Sequence, residues 1–313
     1  MKPCLLQNGR LPPALESQLT AEFDIHPLWQ EKDPQAFLAA HGARFNGLVT
    51  SARVGADRDL IGALPELKLI ASFGVGYDSI DLAAVRARGL AFSNTPEVLN
   101  DCVADLAFGL VLDVTRGLSA ADRFVRRGDW ERGTPVAVTT RASGKNLGIL
   151  GLGRIGQAIA RRSAGFEMPV RYHSRNPVAG VQWMHEPSLI ELARWADILM
   201  VACAGGPATH HLVSAAVLDA LGPKGYLVNI SRGTVVDETA LVDALCRQKI
   251  AGAGLDVYQR EPHVPEALLK LDNVVLLPHV AGATHETRQA IADLVLANVR
   301  SFYGNGKVLT PVL

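Results

Sequence analysis

The sequence predicts an α/β protein with two doubly wound parallel sheets. Short apolar runs rich in β-branched residues alternate with amphipathic stretches along the chain, which is the pattern of strand–helix–strand units. The chain has 313 residues, more than one hydrophobic core usually organises, so we expect two lobes and a cleft. A glycine-rich turn directly follows the first apolar run of a second series of strands, as expected where a nucleotide-binding sheet begins.

The first lobe is predicted from the first hundred residues, which alternate between the two kinds of segment. Helical segments over 13–23 and 80–88 separate candidate strands at residues 3–7, 47–51, 67–73 and 90–93. This spacing predicts one small doubly wound sheet of the flavodoxin-like class.

A long helix is predicted next, from Pro96 to about Arg127. The segment lacks an internal proline, and its apolar residues recur at helical spacing. Such a helix could link the two lobes and present a face to another subunit. A purely internal core helix fits the periodicity equally well.

The second lobe is predicted from six further strands, at 147–150, 170–173, 198–203, 227–230, 252–257 and 274–277. Six strands with intervening helices fit a complete Rossmann-type dinucleotide-binding sheet. A last helix, from His285 to about Tyr303, is expected to pack against the first lobe. We therefore predict a dinucleotide-binding domain over 98–285 and a discontinuous substrate-binding domain over 1–97 plus 286–313.

The glycine turn Gly151-Leu152-Gly153-Arg154-Ile155-Gly156 lies between a predicted strand and a helical run. Its glycines would allow a tight turn, a close approach of the backbone to a pyrophosphate, and close packing of helix on strand. Leu152, Gly153, Arg154 and Ile155 are the expected cofactor contacts. A glycine-rich turn alone is weak evidence, but the strand before it and the helix after it favour dinucleotide binding.

The end of the next strand carries Ser174-Arg175-Asn176, about 23 positions after Gly151. An NAD site usually has an acidic residue here, and a carboxylate would repel a 2′-phosphate. A hydroxyl and an arginine fork can instead hydrogen-bond that phosphate, so the sequence favours NADP(H) over NAD(H). The alternative is that Arg175 stacks on adenine or faces solvent.

Three polar residues follow the last three predicted strands in order: Arg232, Glu261 and His279. Ligands of parallel sheets bind outside the carboxyl ends of the strands, so these residues are expected to converge. An arginine can fork onto a substrate carboxylate, and an imidazole held by a carboxylate can give a proton to a carbonyl oxygen. Singly, each could be a surface or capping residue.

With these motifs the chain resembles the D-isomer-specific 2-hydroxyacid dehydrogenase family over nearly its whole length. Further signatures are G-V-G-Y-D-S-I-D at 74–81, N-T-P at 94–96, V-A-D at 103–105 and G-L-D-V at 254–257. The resemblance implies that His279 is the proton donor, Glu261 its partner and Arg232 the cation that orients the substrate.

The same resemblance implies further contacts. It places the backbone amides of Val75 and Gly76 on the substrate carboxylate, Asp256 on the nicotinamide carboxamide, and Ile230 in the nicotinamide pocket. Without it, Val75 and Gly76 would be turn residues and Asp256 could cap a helix. Arg53 is a further candidate for the substrate, or else a solvated loop cation.

Within the family, Ser174-Arg175-Asn176 and the ending Leu309-Thr310-Pro311-Val312 look most like NADPH-linked glyoxylate, hydroxypyruvate and hydroxyphenylpyruvate reductases. We therefore expect reduction of a short 2-keto acid to the D-2-hydroxy acid. One alternative is an NAD-linked dehydrogenase of phosphoglycerate, lactate, formate or phosphite type, although Glu261 stands where the formate enzymes carry glutamine. Another is a nucleotide-sensing corepressor on the same fold.

Composition narrows the partners. The chain has 31 basic and 31 acidic side chains, which gives no electrostatic footprint for nucleic acid or an anionic membrane. The scattered cysteines and histidines lack metal-ligand spacing, so we expect no metal. The N-terminus does not resemble a signal peptide, which leads us to expect a cytoplasmic protein. A homodimer is expected through the dinucleotide domain and the 96–140 segment.

Overall fold

The computed structural model describes residues 2–313. The chain forms two compact units. The first runs up to Leu99 and also contains Ala283–Leu313, and the second is Asn100–Gly282. Each unit is built around its own parallel sheet.

The sheet of the first unit has five strands in the order β2-β1-β3-β4-β5, all parallel. They are β1 (Cys4–Gln7), β2 (Asp24–Pro27), β3 (Gly47–Ser51), β4 (Leu69–Phe73) and β5 (Ala91–Ser93), with helices α1 (Pro13–Glu22), α2 (Pro34–His41), α3 (Arg58–Gly62) and α4 (Leu82–Ala87). This is the flavodoxin-like order, so the predicted class is confirmed.

Aspartates begin three helices of the first unit. The carboxylates of Asp33, Asp57 and Asp81 each accept the amide three residues further on, at 3.0, 2.8 and 2.9 Å. Such caps satisfy one of the amides that a helix start leaves without a partner. The helices then pack an apolar core with the sheet, in which Phe45, Leu48 and Ile70 are fully buried.

The second unit contains seven parallel strands in the order β12-β11-β10-β9-β6-β7-β8. Its elements are α5 (Asn100–Arg116), α6 (Leu118–Arg126), β6 (Leu147–Leu150), α7 (Arg154–Arg162), β7 (Val170–His173), β8 (Met184–His185), α8 (Leu189–Trp195), β9 (Ile198–Val201), α9 (Ala215–Leu221), β10 (Tyr226–Asn229), α10 (Glu238–Cys246), β11 (Gly252–Leu255), α11 (Glu266–Leu269) and β12 (Val274–Leu276). The order is that of a Rossmann sheet with one strand added beyond β11, which confirms the predicted class. The six predicted strands are present, and β8 is an additional two-residue edge strand.

The prediction of one long helix from Pro96 to Arg127 is wrong. Helix α5 begins at Asn100, and Gly117 separates it from α6 with a φ of 62°. Left-handed backbone at a glycine is a common helix ending. The carboxylate of Asp113 then accepts the amide of Ser119 at 2.8 Å and so supports the first turn of α6.

The chain ends in α12 (His285–Asn305), which packs on β4 and α1 of the first unit. The fully buried Asn298 accepts the amides of Leu309 and Thr310 at 2.9 and 3.0 Å and so holds the final segment. Over residues 2–313, no helix combines the length and apolarity needed to cross a membrane.

Candidate active site

The sequence predicted that Arg232, Glu261 and His279 would follow three neighbouring strands, and β10, β11 and β12 are indeed neighbours in the sheet. Glu261 and His279 are in direct contact. The imidazole Nδ1 lies 2.7 Å from Glu261 Oε2, and a carboxylate oxygen at this contact accepts the proton that Nδ1 carries. The other ring nitrogen, Nε2, has no hydrogen-bond partner among residues 2–313. It is therefore the atom available to a substrate.

The carboxylate of Glu261 is held at both oxygens. While Oε2 accepts from His279, Oε1 accepts the backbone amide of Tyr258 at 3.2 Å. The Glu261 side chain is 20% exposed and that of His279 is 42% exposed, so the imidazole is the more accessible partner. A carboxylate fixed at this distance stabilises an imidazolium through a charge-assisted hydrogen bond.

A second set of contacts fixes the backbone around His279. Its φ of 55° is left-handed, which is uncommon for a residue other than glycine. The next two amides, of Val280 and Ala281, donate to the fully buried carboxylate of Asp256 at 2.8 and 2.9 Å. Burial raises the pKa of Asp256 above its ordinary value, and the two amide bonds offset only part of that increase. Cys102 Sγ donates to the Ala281 carbonyl at 2.8 Å from the other side.

Asp256 therefore caps no helix and instead anchors the turn that carries His279. The predicted contact of Asp256 with a carboxamide stays a prediction. Sequence reasoning missed the contacts of Tyr258 and Cys102. Tyr258 contributes only a backbone amide, and Cys102 lies 179 positions from its acceptor, so neither contact has a sequence signature.

Arg232 lies in a turn shaped by Asn229. Oδ1 of Asn229 accepts the Ser231 amide at 3.0 Å, and its Nδ2 donates to the Arg232 carbonyl at 3.0 Å. An asparagine that bonds the backbone two residues further on is a recognisable turn signal. Arg232 itself is half-buried, and its Nη1 donates to the Ser231 carbonyl at 2.7 Å.

The turn of Arg232 also touches the segment that leads to Glu261. A Cβ on Gly233 would lie 1.9 Å from the carbonyl carbon of Tyr258, so no larger residue fits without a backbone shift. Because Tyr258 also donates its amide to Glu261, this close approach ties the Arg232 turn to the carboxylate segment. Backbone contacts thus bring together the strand ends that carry Arg232 and Glu261.

The glycine turn at 151–156 has the shape needed for a pyrophosphate. Gly151 has a φ of 96°, and a Cβ there would lie 2.5 Å from Cys203 Cα, while one on Gly156 would lie 2.1 Å from the Gly151 carbonyl oxygen. A Cβ on Gly153 would meet no atom within 4 Å, so the space beside the start of α7 is open. Gly153 offers no side chain to cap that helix, whose first amides suit an anion. These residues therefore fit a dinucleotide.

The Ser174-Arg175-Asn176 turn follows β7. Ser174 Oγ donates to the Asn176 carbonyl at 2.6 Å, so its proton is used within the turn. Arg175 and Asn176 are exposed, and the Arg175 guanidinium makes no hydrogen bond or ion pair within the described chain. Arg175 is consequently the charged side chain of this turn, and it is exposed without a partner among the described residues.

The remaining predicted residues divide between the units. Ile230 is buried directly after β10 of the second unit. Val75 and Gly76 follow β4 in the first, where Asn94 Nδ2 donates to the Val75 carbonyl at 2.8 Å. Among the described residues, no protein oxygen accepts a hydrogen bond from the backbone amide of Val75 or of Gly76. Arg53, also in the first unit, is exposed and unpaired within the described range.

Comparison with known proteins identifies the family of the chain. The family model for the D-isomer specific 2-hydroxyacid dehydrogenase, NAD binding domain, matches residues 108–281. Hydroxyphenylpyruvate reductase of Plectranthus scutellarioides and glyoxylate/hydroxypyruvate reductase A HPR2 of Arabidopsis thaliana are each 46% identical to this chain over 299 residues. In both cases the match covers 96% of this chain and 95% of the relative.

A solved structure is similar over the whole chain. The NADPH-dependent glyoxylate/hydroxypyruvate reductase from Sinorhizobium meliloti, in complex with NADP and malonate, has a TM-score of 0.92 and 41% sequence identity. The match covers 100% of this chain and 97% of that one. The glycine turn, the three strand-end residues and these matches lead to one conclusion: the chain belongs to the D-isomer specific 2-hydroxyacid dehydrogenase family.

Proposed function

We propose that this protein reduces a short 2-keto acid to the D-2-hydroxy acid with NADPH. The observation that carries the proposal is the 2.7 Å bond between His279 Nδ1 and Glu261, which leaves Nε2 available on the exposed side of the imidazole. Family membership and the reductase names of the relatives support the direction of the reaction.

Each residue has a distinct role in this proposal. Arg232 forks onto the substrate carboxylate and polarises the adjacent carbonyl. His279 donates the proton on Nε2 to the carbonyl oxygen, while Glu261 stabilises the imidazolium before the transfer. A reduced nicotinamide, when bound, supplies the hydride that reaches the carbonyl carbon. Ile230 and Asp256 are the proposed neighbours of that ring, and Asp256 also anchors the His279 turn.

The choice of NADPH rests on Arg175. Its guanidinium is exposed and unpaired within residues 2–313, and no acidic residue stands beside it in the turn to repel a 2′-phosphate. Because a hydrogen bond to a charged group contributes ~1.5–3 kcal/mol, Arg175→Ala should lower the ratio of kcat/KM for NADPH to that for NADH at least about tenfold. An unchanged ratio would refute the assignment of Arg175.

The substrate class is tested by steady-state rates. Glyoxylate, hydroxypyruvate, phenylpyruvate and hydroxyphenylpyruvate should be assayed with both NADPH and NADH. The proposal predicts turnover of at least one with NADPH preferred. Preference for NADH would support the NAD-linked alternative, and NADPH binding without turnover of any 2-keto acid would support a corepressor.

Val75, Gly76 and Arg53 are the proposed substrate contacts of the first unit, and Arg53→Ala should raise the KM for the preferred acid.

We also propose that the protein forms a homodimer in the cytoplasm. Apolar side chains stand exposed along the 118–138 segment, among them Val138 at 100%, Trp130 at 67% and Val136 at 65%. A run of exposed apolar residues of this kind is typical of an interface, and the occupant we propose is a second copy of the chain. The four cysteines are unpaired, which suits a reducing compartment.

A further inference from the structure

The turn that carries Arg175 is joined to the edge of its sheet by two histidines. Strand β8 is the last strand of the seven and contains only Met184 and His185, which pair with Arg171 and Tyr172 of β7. The backbone ladder therefore ends at Tyr172, whose carbonyl accepts the amide of Glu186 at 2.7 Å. Beyond this point, side chains take over the connection.

The two histidines cross between the strands in opposite directions. His173 Nδ1 lies 2.9 Å from the Glu186 carbonyl oxygen, and His185 Nε2 lies 3.0 Å from the Ser174 carbonyl oxygen. A carbonyl can only accept, so each of these nitrogens carries a proton. The two rings lie nearly parallel, at an interplanar angle of 12° and a centroid distance of 6.4 Å. Together they form a reciprocal clasp between the ends of β7 and β8.

A further hydrogen bond, from Val178, holds the other end of the turn. The hydroxyl of Tyr172 accepts the amide of Val178 at 2.9 Å, and this tyrosine is fully buried. The ring of His185 lies 5.2 Å from that of Tyr172. The backbone of the turn is thus held at Ser174 by His185 and at Val178 by Tyr172, while Arg175 between them remains exposed.

We propose that His185 is a positioning residue for cofactor selectivity: by holding the Ser174 carbonyl it fixes the direction in which Arg175 meets the 2′-phosphate. This inference rests on the proposed use of NADPH. A guanidinium binds phosphate through a planar fork, and less freedom is lost on binding when the backbone beneath it is already fixed. NADH lacks the 2′-phosphate, so its use does not depend on that direction.

Two variants separate the hydrogen bond from the packing of the ring. His185→Phe keeps an aromatic ring against Tyr172 but removes the donor, whereas His185→Gln places an amide donor close to the position of Nε2. The ratio of kcat/KM for NADPH to that for NADH should fall about five- to tenfold in His185→Phe, the effect of one hydrogen bond. The loss should be a higher KM for NADPH. His185→Gln should recover the ratio to within about twofold of wild type.

A binding measurement on the full-length protein complements the kinetics. The affinity for 2′,5′-ADP should fall in His185→Phe, while that for 5′-AMP should not change. An unchanged NADPH/NADH ratio in His185→Phe would overturn the inference, as would equal losses with both cofactors, which would mark His185 as merely structural. Arg175→Ala distinguishes the two levels of the argument. If Arg175→Ala lowers the NADPH/NADH ratio and His185→Phe does not, only the positioning role of His185 is refuted. If neither variant lowers the ratio, the proposed binding of the 2′-phosphate by Arg175 is refuted as well.

Discussion

At the scale of single residues, the Glu261 carboxylate supplies both a charge and a fixed acceptor to His279. Glu261→Gln keeps an oxygen that can accept from Nδ1 but removes the charge that stabilises the imidazolium. We expect kcat for the 2-keto acid to fall about 10- to 100-fold, within the range attributed to positioned acid–base groups. Glu261→Ala, which also removes the acceptor, should lose more. Equal activity of Glu261→Gln and wild type would show that the charge has no part in turnover.

The cysteines provide a test of the packing beside the glycine turn. Burial raises the pKa of Cys203 to about 11 from an ordinary 9.0. The thiolate is the reactive form, so at pH 7.5 its population should be about 100-fold lower than in an unperturbed thiol. Iodoacetamide should therefore label the exposed Cys246 first and the half-buried Cys203 about 100-fold more slowly, as followed by mass spectrometry of peptides. Labelling of Cys203 in the folded protein as fast as that of Cys246 would contradict the burial of the Cys203 thiol.

The sequence predicted the position of the strand-end residues better than the contacts that hold them in place. Arg232, Glu261 and His279 could be expected at one edge of the sheet because neighbouring parallel strands end there. The contact of Asp256 with the amides of Val280 and Ala281 joins residues 24 and 25 positions apart. A side chain bound to distant backbone leaves no periodic pattern, which is why these supports were found only in the structure.

At the scale of elements, the boundary between α5 and α6 shows where periodicity is insufficient. Apolar spacing continues past Arg116, yet Gly117 adopts a left-handed φ that ends the helix. A glycine inside a periodic segment is compatible with either a continuing helix or an ending, and here the supporting carboxylate of Asp113 accompanies the ending. Strands β2 and β8 were missed for a related reason, since both are short edge strands with few buried residues.

The end of α12 offers a test of the same backbone effect. Gly306 follows the helix with a φ of 77°, whereas Gly304 lies inside the helix, and a Cβ there would meet no atom within 4 Å. Gly306→Ala should lower the free energy of unfolding by about 1–2 kcal/mol, the cost of left-handed backbone for a residue with a Cβ. Gly304→Ala should raise it by up to about 1 kcal/mol, because alanine loses less backbone entropy in a helix. Urea denaturation of the pair checks the opposite signs; a change of the same sign in both would contradict this account of the helix end.

At the scale of the whole molecule, the two parallel sheets were predictable because most of their strands are buried and read as continuous apolar runs. The strand orders of both sheets match the predicted classes. The proposed self-association of the chain rests on a different observation, the exposed apolar residues of the 118–138 segment.

Charge placed on that segment tests the proposed dimer. Val136→Asp combined with Val138→Asp should convert a dimer to a monomer of 33.4 kDa, measured by light scattering during size-exclusion chromatography. Leu269→Asp is a matched control, because Leu269 is 61% exposed in the same unit but lies outside the segment. A wild-type monomer, or a double variant that remains dimeric, would rule out this interface.

The most direct test of the central claim is replacement of the proton donor, with cofactor binding measured in parallel. His279→Ala removes the imidazole but none of the residues of the glycine turn or of the Ser174-Arg175-Asn176 turn. It should bind NADPH with an affinity close to that of wild type, while kcat for the preferred 2-keto acid falls about 10²- to 10⁴-fold, as expected for loss of a general acid. Near-normal turnover in His279→Ala would contradict the assignment of His279 as the proton donor.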